Sequence, residues 1–311
     1  MQDEVLLRRS LPPGGALEHL DAGGTRLRVC RWEGATPGGG TIILLNGRGD
    51  FIEKYAEACH AMVAWGPALI TLDWRGQGLS GRLAANPTVG HADDLGMLVA
   101  DLSMLLDRLN LPRPLRIVAH SMGGHLALRL LHDRPALVER AVLLSPMLRF
   151  RTAPIPWMLA RWIASCAVGL GFGAHFAPGQ GPFDAAARTR SARLLTTDPA
   201  RQLDESWWAA QNPALVSGGV SFGWLRAAFQ SVALLERPGY LEAIRTPLMV
   251  LASGDDRIVD LSATQAACAR LPHAAMHIIA GAQHELLRER DALRMATLSQ
   301  IRDFLRAPTA P

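Results

Sequence analysis

Lysine is nearly missing from this chain: Lys54 is the only one in 311 residues, and arginine supplies all the other basic groups. Genome composition alone can produce such a bias, so it carries little functional weight. Basic clusters are missing too. The net charge is only +4, with no basic run or basic amphipathic stripe, so nucleic acid is not implied as a partner. Cys30, Cys59, Cys166 and Cys268 lie far apart, without a C-x-x-C pair or histidines at zinc-ligand spacing. That excludes a disulfide framework and a metal site, and reduced, mostly buried thiols are expected. The opening residues MQDEVLLRRS place acids before any apolar run, so no secretory signal is expected and a cytoplasmic location is. The uncharged stretch 162–183 holds too many glycines and small residues for a membrane-spanning helix.

What is present centres on residues 115–136, LRIVAHSMGGHLALRLLHDRPA. Leu115, Ile117, Val118 and Ala119 suit a fully buried strand, and Leu126, Leu128, Leu130 and Leu131 supply a helix that Pro135 stops. An abrupt strand-to-helix turn between them puts Ser121 at the corner, among the small residues Ala119, Gly123 and Gly124. This is the G-x-S-x-G nucleophile elbow with alanine in the first glycine position. Its geometry lifts the serine hydroxyl clear of the sheet and turns the Met122 backbone N–H, at a helix N-terminus, toward the same space. The plainer alternative is an N-capping serine beside flexible glycines.

Elsewhere, strands are expected at 25–32, which alternates, at 41–45, 141–144 and 247–252, which read as buried, and at 68–72 and 275–279, separated by helical patterns that include 91–110 and 291–306. Residues 307–311 are expected to fray. This alternation predicts a doubly wound, mostly parallel α/β sheet that begins antiparallel. After the strand at 41–45, Asn46-Gly47-Arg48-Gly49-Asp50 exposes backbone N–H groups at the sheet's carboxyl edge, and that of Arg48 is the candidate second oxyanion donor. Gly76, Gly78 and Gly81 match G-x-G-x-x-G, but they follow a later strand and lead to a loop ending in Pro87 instead of opening a helix, so a dinucleotide site is rejected. Asp73 and Arg75 are expected to brace that loop as an ion pair.

From 147 to 240 the alternation stops. Five of the eight tryptophans lie here (Trp157, Trp162, Trp207, Trp208 and Trp224), and nine arginines against five acids carry the chain's whole net charge. A helical cap inserted over the sheet edge is predicted, dividing the chain into core 1–146, cap 147–240 and core 241–311. Trp157 and Trp162 are candidates for an apolar substrate pocket, and Arg149, Arg151 and Arg161 for contacts with a phosphate head group.

A serine needs a base to take its proton, and the base needs a carboxylate to fix its tautomer. Of ten histidines, His284 stands out, because it follows the last strand in a glycine-containing loop. The acid falls among Asp255, Asp256 and Asp260 after the preceding strand. The order Ser, Asp, His is that of the α/β-hydrolase fold. His284-Glu285 begins like H-E-x-x-H, but Arg288 stands where the second zinc ligand would be, so metal catalysis has no support.

The segments AHSMGG, LLNGRGDFIEKY, LDWRGQGLSGR, SGDDRIVD and GAQHELLRE resemble the monoglyceride lipase and lysophospholipase group of the α/β hydrolases, most of all the bacterial PldB-type lysophospholipases. The likeness spans nearly the whole chain and is weakest in the cap. It implies a cofactor-free serine hydrolase of lipid-like esters, with the first aspartate of D-R-x-V-D, here Asp256, as the triad acid. Two departures occur: Asn46 stands where the group usually has histidine, and Ala119 where it has glycine. Neither removes a reacting group. A small-molecule lysophospholipid or monoacylglycerol is the expected substrate, with a smaller ester or lactone as the alternative and a non-catalytic binding protein as the remote one. Peripheral contact with the inner face of a membrane through the cap is expected, and no obligatory protein partner.

Overall fold

The computed structural model describes residues 2–307, with side-chain surroundings from Glu4 onward, so most of the tail expected to fray lies outside the described residues. Eight strands form one sheet: β1 (Ala16–Asp21), β2 (Arg26–Trp32), β3 (Thr41–Leu45), β4 (Ala68–Leu72), β5 (Leu115–His120), β6 (Arg140–Leu144), β7 (Leu248–Ser253) and β8 (Ala274–Ile279). Their order is β1-β2-β4-β3-β5-β6-β7-β8. β2 pairs antiparallel with β1 and β4, and every later pairing is parallel. The order reverses at β3 and β5, which opens a crevice at their carboxyl ends.

The central strands read as unbroken apolar runs because both faces are covered. Ile43, Leu45, Ile117, Leu143 and Val250 face one side; Ile42, Leu44, Val118, Val142 and Leu251 face the other. Helices α1 (Gln2–Arg9) and α2 (Ala56–Val63) precede the long α3 (Gly96–Arg108) and α4 (Met122–Asp133). α3 and α4 bury their leucines on the first face, while α2 packs on the second. Between β6 and β7 come α5 (Trp157–Gly169), α6 (Ala185–Ala192), α7 (Pro199–Gln202), α8 (Asp204–Gln211) and α9 (Phe222–Leu235), and no strand of the sheet. α10 (Leu261–Cys268) joins the first face and α11 (Asp291–Arg306) the second.

Several expectations need correction. The helix expected from residue 91 starts at Gly96, and His91 instead bonds the Ser221 hydroxyl at 2.8 Å, joining the loop to the inserted segment. Asp73 and Arg75 do not pair with each other. Arg75 is held by Asp101 at 2.6 Å, while Asp73 meets Arg28 of β2 at 3.1 Å and accepts the N–H groups of Ile52 and Leu79. All four cysteines are free, Cys30 and Cys59 buried, Cys166 and Cys268 half-buried. Among the described residues, no helix is long and apolar enough to cross a membrane.

Candidate active site

Ser121 sits between β5 and α4 at φ 52°, ψ −116°, a backbone region that side chains other than glycine rarely occupy. The conformation is held from several sides. The Ser121 N–H donates to the Leu144 carbonyl at 2.9 Å, and its own carbonyl accepts from His125 and Met147. Gly123 is required because α4 starts against β3: a Cβ there would lie 2.6 Å from the Asn46 carbonyl oxygen. The turn thus aims the hydroxyl into the crevice at the sheet's carboxyl edge.

His284, on the loop after β8, places Nε2 2.9 Å from the Ser121 hydroxyl and Nδ1 2.7 Å from an Asp256 carboxylate oxygen. The other Asp256 oxygen accepts the N–H groups of Ile258 and Val259, which fixes the carboxylate's orientation. All three side chains belong to largely buried residues. Burial by itself would push the Asp256 carboxyl up, but the His284 hydrogen bond and charge, with those two N–H groups, hold it below the usual carboxylate range. It therefore stays ionised and favours the tautomer with the proton on Nδ1, which leaves Nε2 free to accept from serine. His120 lies behind, its ring centroid 4.8 Å from that of His284. Burial, reinforced by His284, lowers its pKa to about 4, so it adds no positive charge near neutrality.

The backbone N–H groups of Arg48 and Met122 have no protein acceptor among the described residues. The loop between β3 and α2 is clamped around them. Asp50 accepts the Gly47 N–H at 2.8 Å and the Tyr55 hydroxyl at 2.9 Å, Gln77 accepts the Gly49 N–H, and the Asn46 side chain donates to the Leu72 carbonyl at 2.8 Å. Asn46 thus serves as a strut between two strand ends.

Ser121 opens into a cavity of about 450 Å³, largely apolar, walled by Phe150, Ile155, Ile163, Trp224 and Phe229 and reached also by Arg48. Such a volume lies within the range of small-molecule sites. The arrangement corrects the expected substrate contacts. Trp157 packs edge-on to Phe229 behind the cavity wall with Arg149 stacked on its ring, and neither lines the cavity. Trp162 and Arg161 point outward and are exposed. Of the three expected arginines only Arg151 borders the cavity, joined there by Arg257.

A buried charge cluster escaped the sequence reading. Lys54 Nζ lies 2.5 Å from Asp50, 2.7 Å from Glu285 and 3.1 Å from Glu205, joining the β3 loop, the residue after His284 and α8. Burial would strip the charge from an isolated ammonium, but these three carboxylates outweigh it and raise the Lys54 pKa. The signals were its being the only lysine and its i,i+4 spacing from Asp50.

The family model described as Serine aminopeptidase, S33 (Hydrolase_4) matches residues 37–291, from the turn before β3 to the start of α11. The chain belongs to the Hydrolase_4 family. Lysophospholipase L2 of Escherichia coli strain K12 is 30% identical over 282 residues, covering 87% of this chain and 81% of that protein. A probable lysophospholipase L2 of Haemophilus influenzae is 28% identical over 268 residues. Among solved structures, a soluble variant of the Saccharomyces cerevisiae monoglyceride lipase, in complex with a substrate analog, aligns with a TM-score of 0.76 at 16% identity, covering 96% of this chain and 97% of that one. So distant a likeness speaks for the fold alone, and that fold is the α/β hydrolase. The Hydrolase_4 match covers Ser121, Asp256 and His284.

Proposed function

We propose that this Hydrolase_4 protein is a serine hydrolase of carboxylic esters of single-chain lipids, lysophospholipid or monoacylglycerol, with Ser121 as nucleophile, His284 as base and Asp256 as the orienting acid. The observation that carries the reading is the unbroken hydrogen-bond chain from Asp256 through His284 to a serine hydroxyl that opens into an apolar cavity. The Ser121 oxygen attacks the ester carbon as His284 Nε2 takes its proton. The carbonyl oxygen becomes an oxyanion that the N–H groups of Arg48 and Met122 stabilise. Collapse of this intermediate breaks the ester bond, and the alcohol leaves with the proton from His284. A water molecule, deprotonated by the same histidine, then hydrolyses the acyl-enzyme and releases the fatty acid.

The names of the curated relatives support a lipid ester as substrate, and so does the apolar cavity, into which an acyl chain fits better than a peptide. In this reading residues 147–240 form a cap whose helix α5 shapes the cavity through Ile163 and Ala164. The outer side of α5 and its extension expose Met158, Leu159, Trp162, Leu170 and Phe172, and this apolar face beside Arg161 supports docking of the cap on a lipid surface. The central test is covalent. A fluorophosphonate probe should label the wild type and leave Ser121→Ala unlabelled, with hydrolysis reduced by several orders of magnitude. Labelling that persists in the variant would remove Ser121 from its role.

A further inference from the structure

A second cavity, of about 390 Å³, lies against the first, and Arg48 and Gln180 line both. The two differ in chemistry. The first is walled by aromatic and aliphatic side chains; the second is bounded by glycine backbone together with Asp184, Arg188 and Glu205. Arg188 and Glu205 neutralise each other at 2.6 Å. Asp184 is exposed at the start of α6, where its carboxylate accepts the Ala187 N–H at 2.6 Å.

Arg48 is different. The residue is half-buried, and its guanidinium makes no hydrogen bond or ion pair among the described residues and lies over Trp224 with Cζ 5.8 Å from the ring centroid. Burial and the nearby Arg188 both press its pKa down, and the two carboxylates that partly compensate, Asp50 and Glu205, are already taken by Lys54. A guanidinium partly withdrawn from water without a counter-ion is unfavourable, and a planar fork of donors is best relieved by a phosphate. Arg151 and Arg257, at the apolar cavity, are exposed to water and need no such partner.

We infer that the polar cavity is a head-group subsite, in which Arg48 receives the phosphate of a lysophospholipid whose acyl chain occupies the apolar cavity at Ser121. This rests on the ester-hydrolase reading and narrows its substrate class. In a lysophospholipid only the glycerol carbons separate the ester from the phosphate. Arg48 likewise reaches from the serine cavity, where its own N–H faces the ester, into the neighbouring one.

The test measures kcat/KM for lysophosphatidylglycerol and for the monoacylglycerol of the same acyl chain, below their aggregation limits. Arg48→Gln should lower the phospholipid-to-neutral ratio roughly tenfold or more, the scale of a lost charged hydrogen bond, and Arg48→Lys should restore part of it. Ala187→Trp, an exposed position on the far wall, should lower the same ratio by filling the cavity without altering Arg48. Losses equal on both substrates, or no loss, overturn the subsite. Inorganic phosphate that inhibits through Arg48 without any head-group preference would assign the site to free phosphate and overturn it as well. Fluorophosphonate labelling separates the two levels: an unchanged ratio with Ser121 still labelled removes the subsite alone, whereas an unlabelled wild type removes the hydrolase reading beneath it.

Discussion

Three aspartates crowd the carboxyl end of β7, and their surroundings separate them. Asp260 caps α10 by accepting the N–H groups of Ser262 and Ala263. Asp255 is exposed and contributes only its backbone N–H, to the Ala282 carbonyl. Asp256 alone is buried with one oxygen on His284. Asp256→Asn should therefore lower kcat on a soluble ester by on the order of 10⁴-fold, because an amide can donate where the carboxylate accepts and hold the imidazole in the wrong tautomer. Asp255→Asn should stay within about twofold. The opposite ranking in steady-state assays would move the acid by one position. At this scale the serine and histidine were legible because each follows a recognisable strand, Ser121 the buried β5 and His284 the half-exposed β8 in a glycine-containing loop. The partners of Asp73 and Arg75 were not. Adjacency in sequence suggested a local pair, whereas the strand end turns Asp73 inward to Arg28 and the loop carries Arg75 out to Asp101.

Among the elements, the continuous apolar runs were the most legible. The runs TIILL and ALITL are β3 and β4 with the bounds their apolar residues suggest, and α11 spans Asp291–Arg306 as its pattern predicts. β1 gave no such signal, since it is an edge strand with four of its six positions exposed and the other two only half-buried. The start of α3 was misplaced because Ala92 and Leu95 enter the core before the chain becomes helical. In the inserted segment, composition revealed tryptophans but not their direction, and Trp224 on α9 took the place expected of Trp157 and Trp162. The outward α5 face has a consequence of its own. Replacing Leu159 and Trp162 together with glutamate should weaken co-sedimentation with anionic phospholipid vesicles by roughly tenfold or more, since each side chain would otherwise bury apolar area in the interface. Undiminished sedimentation would remove α5 from the contact.

Across the whole molecule, three stretches far apart in sequence converge on one ammonium group. Asp50 belongs to the loop between β3 and α2, Glu205 to α8 and Glu285 to the loop that carries His284, and Lys54 holds all three. Removing a counter-charge from such a cluster leaves carboxylates stranded in a poorly solvated interior, so these parts are expected to open together instead of one by one. Because Lys54 is the chain's only lysine, its side-chain amine, read at its own peptide apart from any terminal amine, reports the opening of this junction. A protonated amine sealed from solvent cannot acylate, so an amine-reactive ester should leave Lys54 unmodified in the native protein and modify it fully after denaturation, as peptide mass spectrometry would read. The slow rate of modification under native conditions then measures how often the loop after β3, α8 and the His284 loop come apart, without a dye, an engineered cysteine or a substrate. Rapid native acylation would mean that the junction is loose.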